Sequence, residues 1–231
     1  MQYLTEIVKE STRDKVMNAI SNFILAEKLK VGEKIPTEIY LSKSLGVSRN
    51  ILREAIAALE MKGILERKYN KGTYVSNQSN KIIIDSFFHD FKMGGFNLFD
   101  LQESRKCLEL SITKIVIDRI NKKQINILKN KLLKLFETIN KNNYNNLFLF
   151  DMDFHIEYLK SSKNKMILKL GLINIDLYKK LFMKNINNIE KMFKNINQEL
   201  SYKIHENILN AIIEKNTNKL NSAIIEHFEV Y

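Results

Sequence analysis

The chain has 231 residues, 45% hydrophobic and 27% charged, with seven glycines, one proline and a formal net charge of +11. That length allows one large domain or two small ones around a buried core, and so little glycine and proline predicts long helices with short connections. No uncharged apolar run is long enough to span a membrane, the N-terminus lacks a signal-peptide pattern, and the single cysteine, Cys107, fits a reducing cytoplasm.

In chain order, "TRDKVMNAISNFILAEK" places Val16, Ile20, Phe23 and Ile24 on one helical face. Thr37 is an N-cap for a second helix, with Glu38 in its first turn and Gly46 at the position that ends it. Ser48 caps a third helix running to about Lys62, whose inward face is Ile51, Leu52, Ala55, Ile56 and Leu59. Two β-prone runs, Ile64–Arg67 and Thr73–Val75, then flank the turn signal Tyr69–Gly72. Three helices and a hairpin, with "LGVS" between the second and third helices, make a winged helix-turn-helix.

The third helix carries Arg49 and Arg53 on one face of its N-terminal end, where the helix dipole disfavours cations. Phosphates and guanine edges would compensate them, since the second helix of such a pair enters the major groove by its N-terminal residues. Thr37 and Ser48 would position phosphates, and Lys71 and Gly72 at the hairpin tip would reach the minor groove or backbone. The competing reading is a solvated pair, with Arg53 in the neighbourhood of Glu54. The turn, caps and wing in register favour DNA. Charge permits this without showing it: residues 1–78 carry 13 basic and 9 acidic side chains and residues 79–231 carry 24 and 17, a surplus spread along the chain.

The strings "P-T-E", "L-x-x-S-L-G-V-S-R" and "L-R-E-A-I-x-x-L-E-x-x-G" stand in order here, and about residues 10–76 resemble the DNA-binding domain of GntR-family bacterial transcription regulators. That resemblance implies base or phosphate contacts for Arg49 and Arg53 and a wing tip at Gly72, and Asn50 beside them is counted with the DNA-binding residues. Two positions depart from the pattern: Ile39 replaces a frequent arginine and Asn50 a common threonine, so the operator is expected to differ from the usual one.

After the polar stretch "SNQSNK" the pattern is helical throughout, with breaks at "MGG", "NKKQ", "NKNNYNN", "SSKN" and "EKNTN". The expected organisation is a winged helix-turn-helix domain at 1–76, a linker at 77–83 and an all-helical bundle at 84–231, mainly α overall. Cys107 in "RKCLEL" reads as a core residue. Asp151 and His155, four residues apart, share a helical face, and His205 and His227 lie on later helices. Together they would make a nitrogen/oxygen site for a divalent transition metal with vacant positions, although three separately satisfied histidines fit the sequence as well. Asp153 faces elsewhere, and His89 has no partner pattern.

The strings "DMDFH", "HENILNAI" and "IIEHF", and "ESRKCLELSITKIV" as a first long helix, resemble the FCD effector domain of FadR-type GntR regulators over about residues 84–230. The resemblance implies a zinc or nickel site on Asp151, His155, His205 and His227. It also implies a small organic-acid effector whose charge Arg105 neutralises, with Glu109 in the family's usual glutamate position and a lesser role for Asn164. The function expected is therefore a cytoplasmic, non-enzymatic, homodimeric regulator that binds a palindromic double-stranded operator under control of a carboxylate metabolite. The alternatives are a DNA-binding adaptor with a ligand-free helical half and a metallohydrolase, for which no general base stands out.

Overall fold

The computed structural model describes residues 10–139, 144–183 and 198–230. Its contacts divide the chain into two units, Met1–Ser86 and Phe87–Tyr231.

In the first unit, helix α1 (Thr12–Ala26) starts at Ser11, whose side chain accepts from Asp14 N, and buries Val16, Met17, Ile20 and Ile24. Phe23, expected on this face, is half-buried at its edge. Helix α2 (Glu38–Leu45) is capped by Thr37 and ends at Gly46, whose φ of 63° is the left-handed conformation that favours glycine. Helix α3 (Arg49–Met61) is capped by Ser48 and packs on both α1 and α2. Its Leu52, Ala55, Ile56 and Leu59 are almost fully buried and Ile51 is half-buried. Each of the larger side chains among them contributes about 1.5–3 kcal/mol by burial.

Strands β1 (Leu65–Lys68) and β2 (Gly72–Val75) pair antiparallel with Leu65 opposite Val75 and Lys68 opposite Gly72. Leu65, Thr73 and Val75 turn inward, which sets the register one residue later than expected for the first strand. The segment before α2 adds to the sheet: Val75 N donates to Glu33 O at 2.8 Å and Ile35 N to Thr73 O at 3.0 Å. Its backbone groups thus find partners that no turn signal announced.

Helix α4 (Ser79–Lys92) begins inside the segment 77–83, so most of that stretch is helical, and the division between units falls within α4. The second unit continues with α5 (Leu98–Ser111), opened by a capping box between Asn97 and Asp100, and α6 (Thr113–Arg119). The single long helix expected over "ESRKCLELSITKIV" is two, broken at the buried Ile112 with φ −101° and ψ 0°. Ser111 and Thr113 donate to the carbonyls of Leu108 and Leu110, at 2.8 and 3.1 Å, back-bonding that bends a helix.

Next come α7 (Lys122–Ile139), α8 (Tyr144–Ser161), α9 (Lys165–Met183), α10 (Gln198–Ile213) and α11 (Thr217–Val230). Of the expected break "NKNNYNN", residues 140–143 lie outside the described ones. Helix α8 packs on α7, α9 and α6, while α10 packs on α7 and α11, and α11 on α5. Phe148, Phe154, Tyr158, Ile204, Ile208 and Ile224 fill the space between them.

Cys107 is exposed, contrary to its reading as core. The buried stripe of α5 is Leu101, Arg105 and Glu109, spaced i, i+4, i+8. Cys107 lies two positions off that stripe, on the outer face, because the helix turns charged side chains inward.

Candidate nucleic-acid interface and metal centre

Arg49, Asn50 and Arg53 are exposed along the first turns of α3, on the side opposite its buried residues. Ser48 Oγ accepts from Ile51 N and Thr37 Oγ1 from Tyr40 N, each at 3.3 Å. As caps, both hydroxyls keep their own proton for an outside acceptor such as phosphate oxygen. Arg53 pairs with Glu38 on α2 rather than near Glu54, its Nε donating to Oε2 at 2.7 Å. Arg67 on β1 lies 3.7 Å from the other Glu38 oxygen and 3.6 Å from Glu60 Oε2.

The wing turn is closed by Lys71 N donating to Lys68 O at 2.9 Å, with Asn70 at φ 54°. Gly72 has φ 105°, a conformation in which a side chain is strained, and a Cβ there would displace the end of the Lys34 side chain. Lys34, Arg67, Lys68 and Lys71 rim a groove of about 580 Å³ that also includes Thr37 and Glu38. Such a basic concavity beside a helix N-terminus suits phosphate.

In the second unit α8 supplies Asp151 and His155, α10 supplies His205 and α11 supplies His227, all buried. One ligating atom from each lies within 4.8 Å of every other. An ion about 2.0–2.2 Å from each ligand needs them within about 4.4 Å of one another, so a shift of a few tenths of an ångström brings all four into range. His155 Nδ1 lies 2.6 Å from Glu109 Oε2, and His205 Nδ1 lies 2.8 Å from the Ser201 carbonyl. Both partners are acceptors, so each Nδ1 carries the proton and each Nε2 turns a lone pair into the cluster.

His205 Nε2 thereby faces Asp151 Oδ1 at 2.9 Å, acceptor against acceptor. Neither atom has a hydrogen-bond partner, nor does His155 Nε2. A cation resolves this conflict, so the donor set fits a divalent transition metal.

The electrostatics run the same way. Burial, followed by the Arg105 charge, holds the His155 imidazole below its ordinary value. Burial, followed by His155, holds His227 well below it. Burial pushes the Asp151 carboxyl up, and a proton donated or positive charge carried by the histidines, His205 first, holds it below the carboxylate range; where the imidazoles are neutral, a metal ion would supply that charge. Glu109 is held below the carboxylate range because His155 and Arg105 outweigh its burial. Neutral imidazoles and an ionised carboxylate are the metal-binding protonation states. Arg105 donates from Nε to Glu109 at 2.9 Å and lies over the Phe228 ring, 5.1 Å from its centroid. Its Nη2, 3.9 Å from Asp151 Oδ2, is buried without a hydrogen-bond partner.

Comparison with known proteins gives the same division. Residues 12–75 match the bacterial regulatory proteins of the gntR family, and residues 100–230 match the FCD domain. The chain belongs to the GntR family. A Uxu operon regulator of Haemophilus influenzae is 29% identical to this GntR-family protein over 205 residues, covering 86% of this chain and 72% of the relative. The HTH-type transcriptional regulator YcbG of Bacillus subtilis is 26% identical over 221 residues, covering 96% and 88%. A solved structure of Streptococcus agalactiae GntR shares the fold, with a TM-score of 0.73 at 24% identity over 94% of this chain and 97% of that one. The GntR-family protein is accordingly a DNA-binding transcription regulator of the FadR type with an FCD domain, and not an enzyme.

Of the residues singled out in its sequence, the four candidate ligands converge and Arg105 stands beside them. Asn164 does not join them: it is exposed, and its Oδ1 accepts from Met166 N at 2.9 Å and Ile167 N at 3.2 Å, capping α9. Asp153 turns to Lys131 at 2.8 Å. Sequence reasoning missed the Ser201 carbonyl and the part Glu109 plays in orienting His155. The i, i+4 pair Arg105/Glu109 was the available signal for Glu109. A backbone carbonyl leaves none. Among the described residues no helix is long and apolar enough to cross a membrane.

Proposed function

We propose that this GntR-family protein is a metal-dependent sensor of a small organic acid, acting as a cytoplasmic homodimer on a palindromic operator. Residues 1–76 bind DNA, 77–83 link, and 84–231 bind the effector and dimerise. The observation that carries the reading is the buried convergence of Asp151, His155, His205 and His227, in which Asp151 Oδ1, His155 Nε2 and His205 Nε2 meet no donor. These four would hold zinc or nickel, which supplies Lewis-acid coordination for a carboxylate at its open positions.

Charge supports the effector class. Arg105 and Glu109 cancel, Asp151 adds one negative charge, and imidazoles that ligate a metal are neutral; a divalent ion would then leave one positive charge in a buried site. A carboxylate neutralises it, and the free Nη2 of Arg105 is a donor available for its oxygen. On the DNA side, Arg49, Asn50 and Arg53 read base edges, while Thr37, Ser48, Lys71 and Gly72 hold the backbone. Effector acts by favouring one arrangement of the paired DNA-binding domains over another.

The test is elemental mass spectrometry of the wild type beside His155→Ala, His205→Ala and His227→Ala, then operator binding with and without a panel of small carboxylates. About one transition metal per chain, lost in each variant, and a carboxylate that shifts DNA affinity only in the metal-loaded protein are expected. No metal in the wild type after loading with zinc or nickel would overturn the sensor reading.

A further inference from the structure

Arg53 is held before DNA arrives. Its Nε donates to Glu38 at 2.7 Å, while the side chain remains 60% exposed. Glu38 is itself fixed: it sits in the first turn of α2, where the helix dipole stabilises its charge, and its second oxygen lies 3.7 Å from Arg67. Arg67 in turn lies 3.6 Å from Glu60, whose Oε1 accepts from the Arg67 backbone N at 2.7 Å. The contacts join α2, α3 and β1 of the DNA-binding unit. An ion pair this exposed contributes little to stability, so a stabilising role does not account for the arrangement.

We propose that Glu38 is a positioning residue that makes Arg53 a guanine reader rather than a phosphate binder; this rests on the assignment of Arg53 to the recognition face. Occupying Nε leaves the two Nη groups as the pair that matches guanine O6 and N7. Ordering the long side chain in advance removes a conformational cost that DNA binding would otherwise bear. The carboxylate beside the guanidinium also repels phosphate, and this selects for the neutral base edge. Arg67 tempers that repulsion, so the wing is not driven from the backbone.

The test uses the full chain. Preferred sites are selected from random duplexes for the wild type, Glu38→Gln, Glu38→Asp, Arg53→Ala and the double variant Glu38→Gln/Arg53→Ala, with thermal unfolding as the control for folding. Affinity for the selected wild-type site and for an unrelated duplex is measured across salt. Glu38→Gln is expected to lower the ratio of specific to non-specific affinity about tenfold, concentrated at one guanine. Its non-specific affinity should rise and its salt dependence steepen by about one ion as Arg53 turns to phosphate. Glu38→Asp keeps the charge but not the reach, and should lose discrimination likewise. The double variant should discriminate no worse than Arg53→Ala.

Unchanged base preference in Glu38→Gln, wild-type discrimination in Glu38→Asp, or additive losses in the double variant would overturn the role of Glu38 while leaving that of Arg53 intact. Full discrimination by Arg53→Ala would overturn the recognition-face assignment and this proposal with it.

Discussion

Glu109→Gln is the sharpest probe of the buried cluster. Glu109 has two oxygens and uses both, one for Arg105 Nε at 2.9 Å and one for His155 Nδ1 at 2.6 Å. Glutamine offers one acceptor and one donor. If its oxygen serves Arg105, its NH₂ faces His155 Nδ1, which must then accept. The His155 proton moves to Nε2, the atom aimed at the cluster, and that nitrogen ceases to be a ligand. Loss of such an outer partner typically costs ten- to a hundredfold in metal affinity, or about 1.4–2.7 kcal/mol.

Metal-free protein should suffer separately, because Arg105 keeps only Asp151 at 3.9 Å as a counter-charge. Removing one partner of a buried pair costs about 3 kcal/mol or more, which for a chain this size lowers Tm by roughly 6–12 °C. Competition with a chromophoric zinc chelator reads the first effect, and thermal unfolding of the chelator-stripped protein reads the second. Wild-type zinc affinity in Glu109→Gln would refute the claim that Glu109 sets the His155 tautomer.

Other outcomes follow from the same geometry. Arg53→Ala should weaken operator binding by about 1–3 kcal/mol and relax preference at one position, leaving thermal stability nearly unchanged; fluorescence anisotropy and unfolding curves decide it. Ser48→Ala removes the hydrogen bond to Ile51 N at 3.3 Å and should cost about 1 kcal/mol of DNA-binding-unit stability in urea titrations, whereas no loss would deny Ser48 its capping role. Metal-free protein should lose stability as pH falls below about 6.5, the ordinary imidazole value. The unfolded chain then takes up protons that His155 and His227, held below that value chiefly by burial, refuse when folded. Asp151 and Glu109, held below the carboxylate range, extend the loss below about pH 4.5 in the same direction. Urea unfolding across this range checks the sign, and stability that rises toward acid would contradict it.

Elements whose signals are local can be read from the residues alone. Ser48 and Thr37 cap where their side chains meet the next turn, Gly46 ends a helix because it tolerates positive φ, and α3 shows its buried face through apolar spacing. Asp151 and His155 share a face by helical period alone. Packing settled whatever depends on which helices meet. It brought His205 and His227, some 50 and 72 residues beyond His155, to the same buried point. It turned the charged stripe of α5 inward and put Cys107 outside, against the apolar look of its neighbours. It broke the expected long helix at Ile112, added the segment before α2 to the wing, and gave Arg53 its partner on another helix. Caps and periodicity act within a turn or two of chain. Burial of charge and pairing across helices are settled only when distant segments compete for the same space and the same donors.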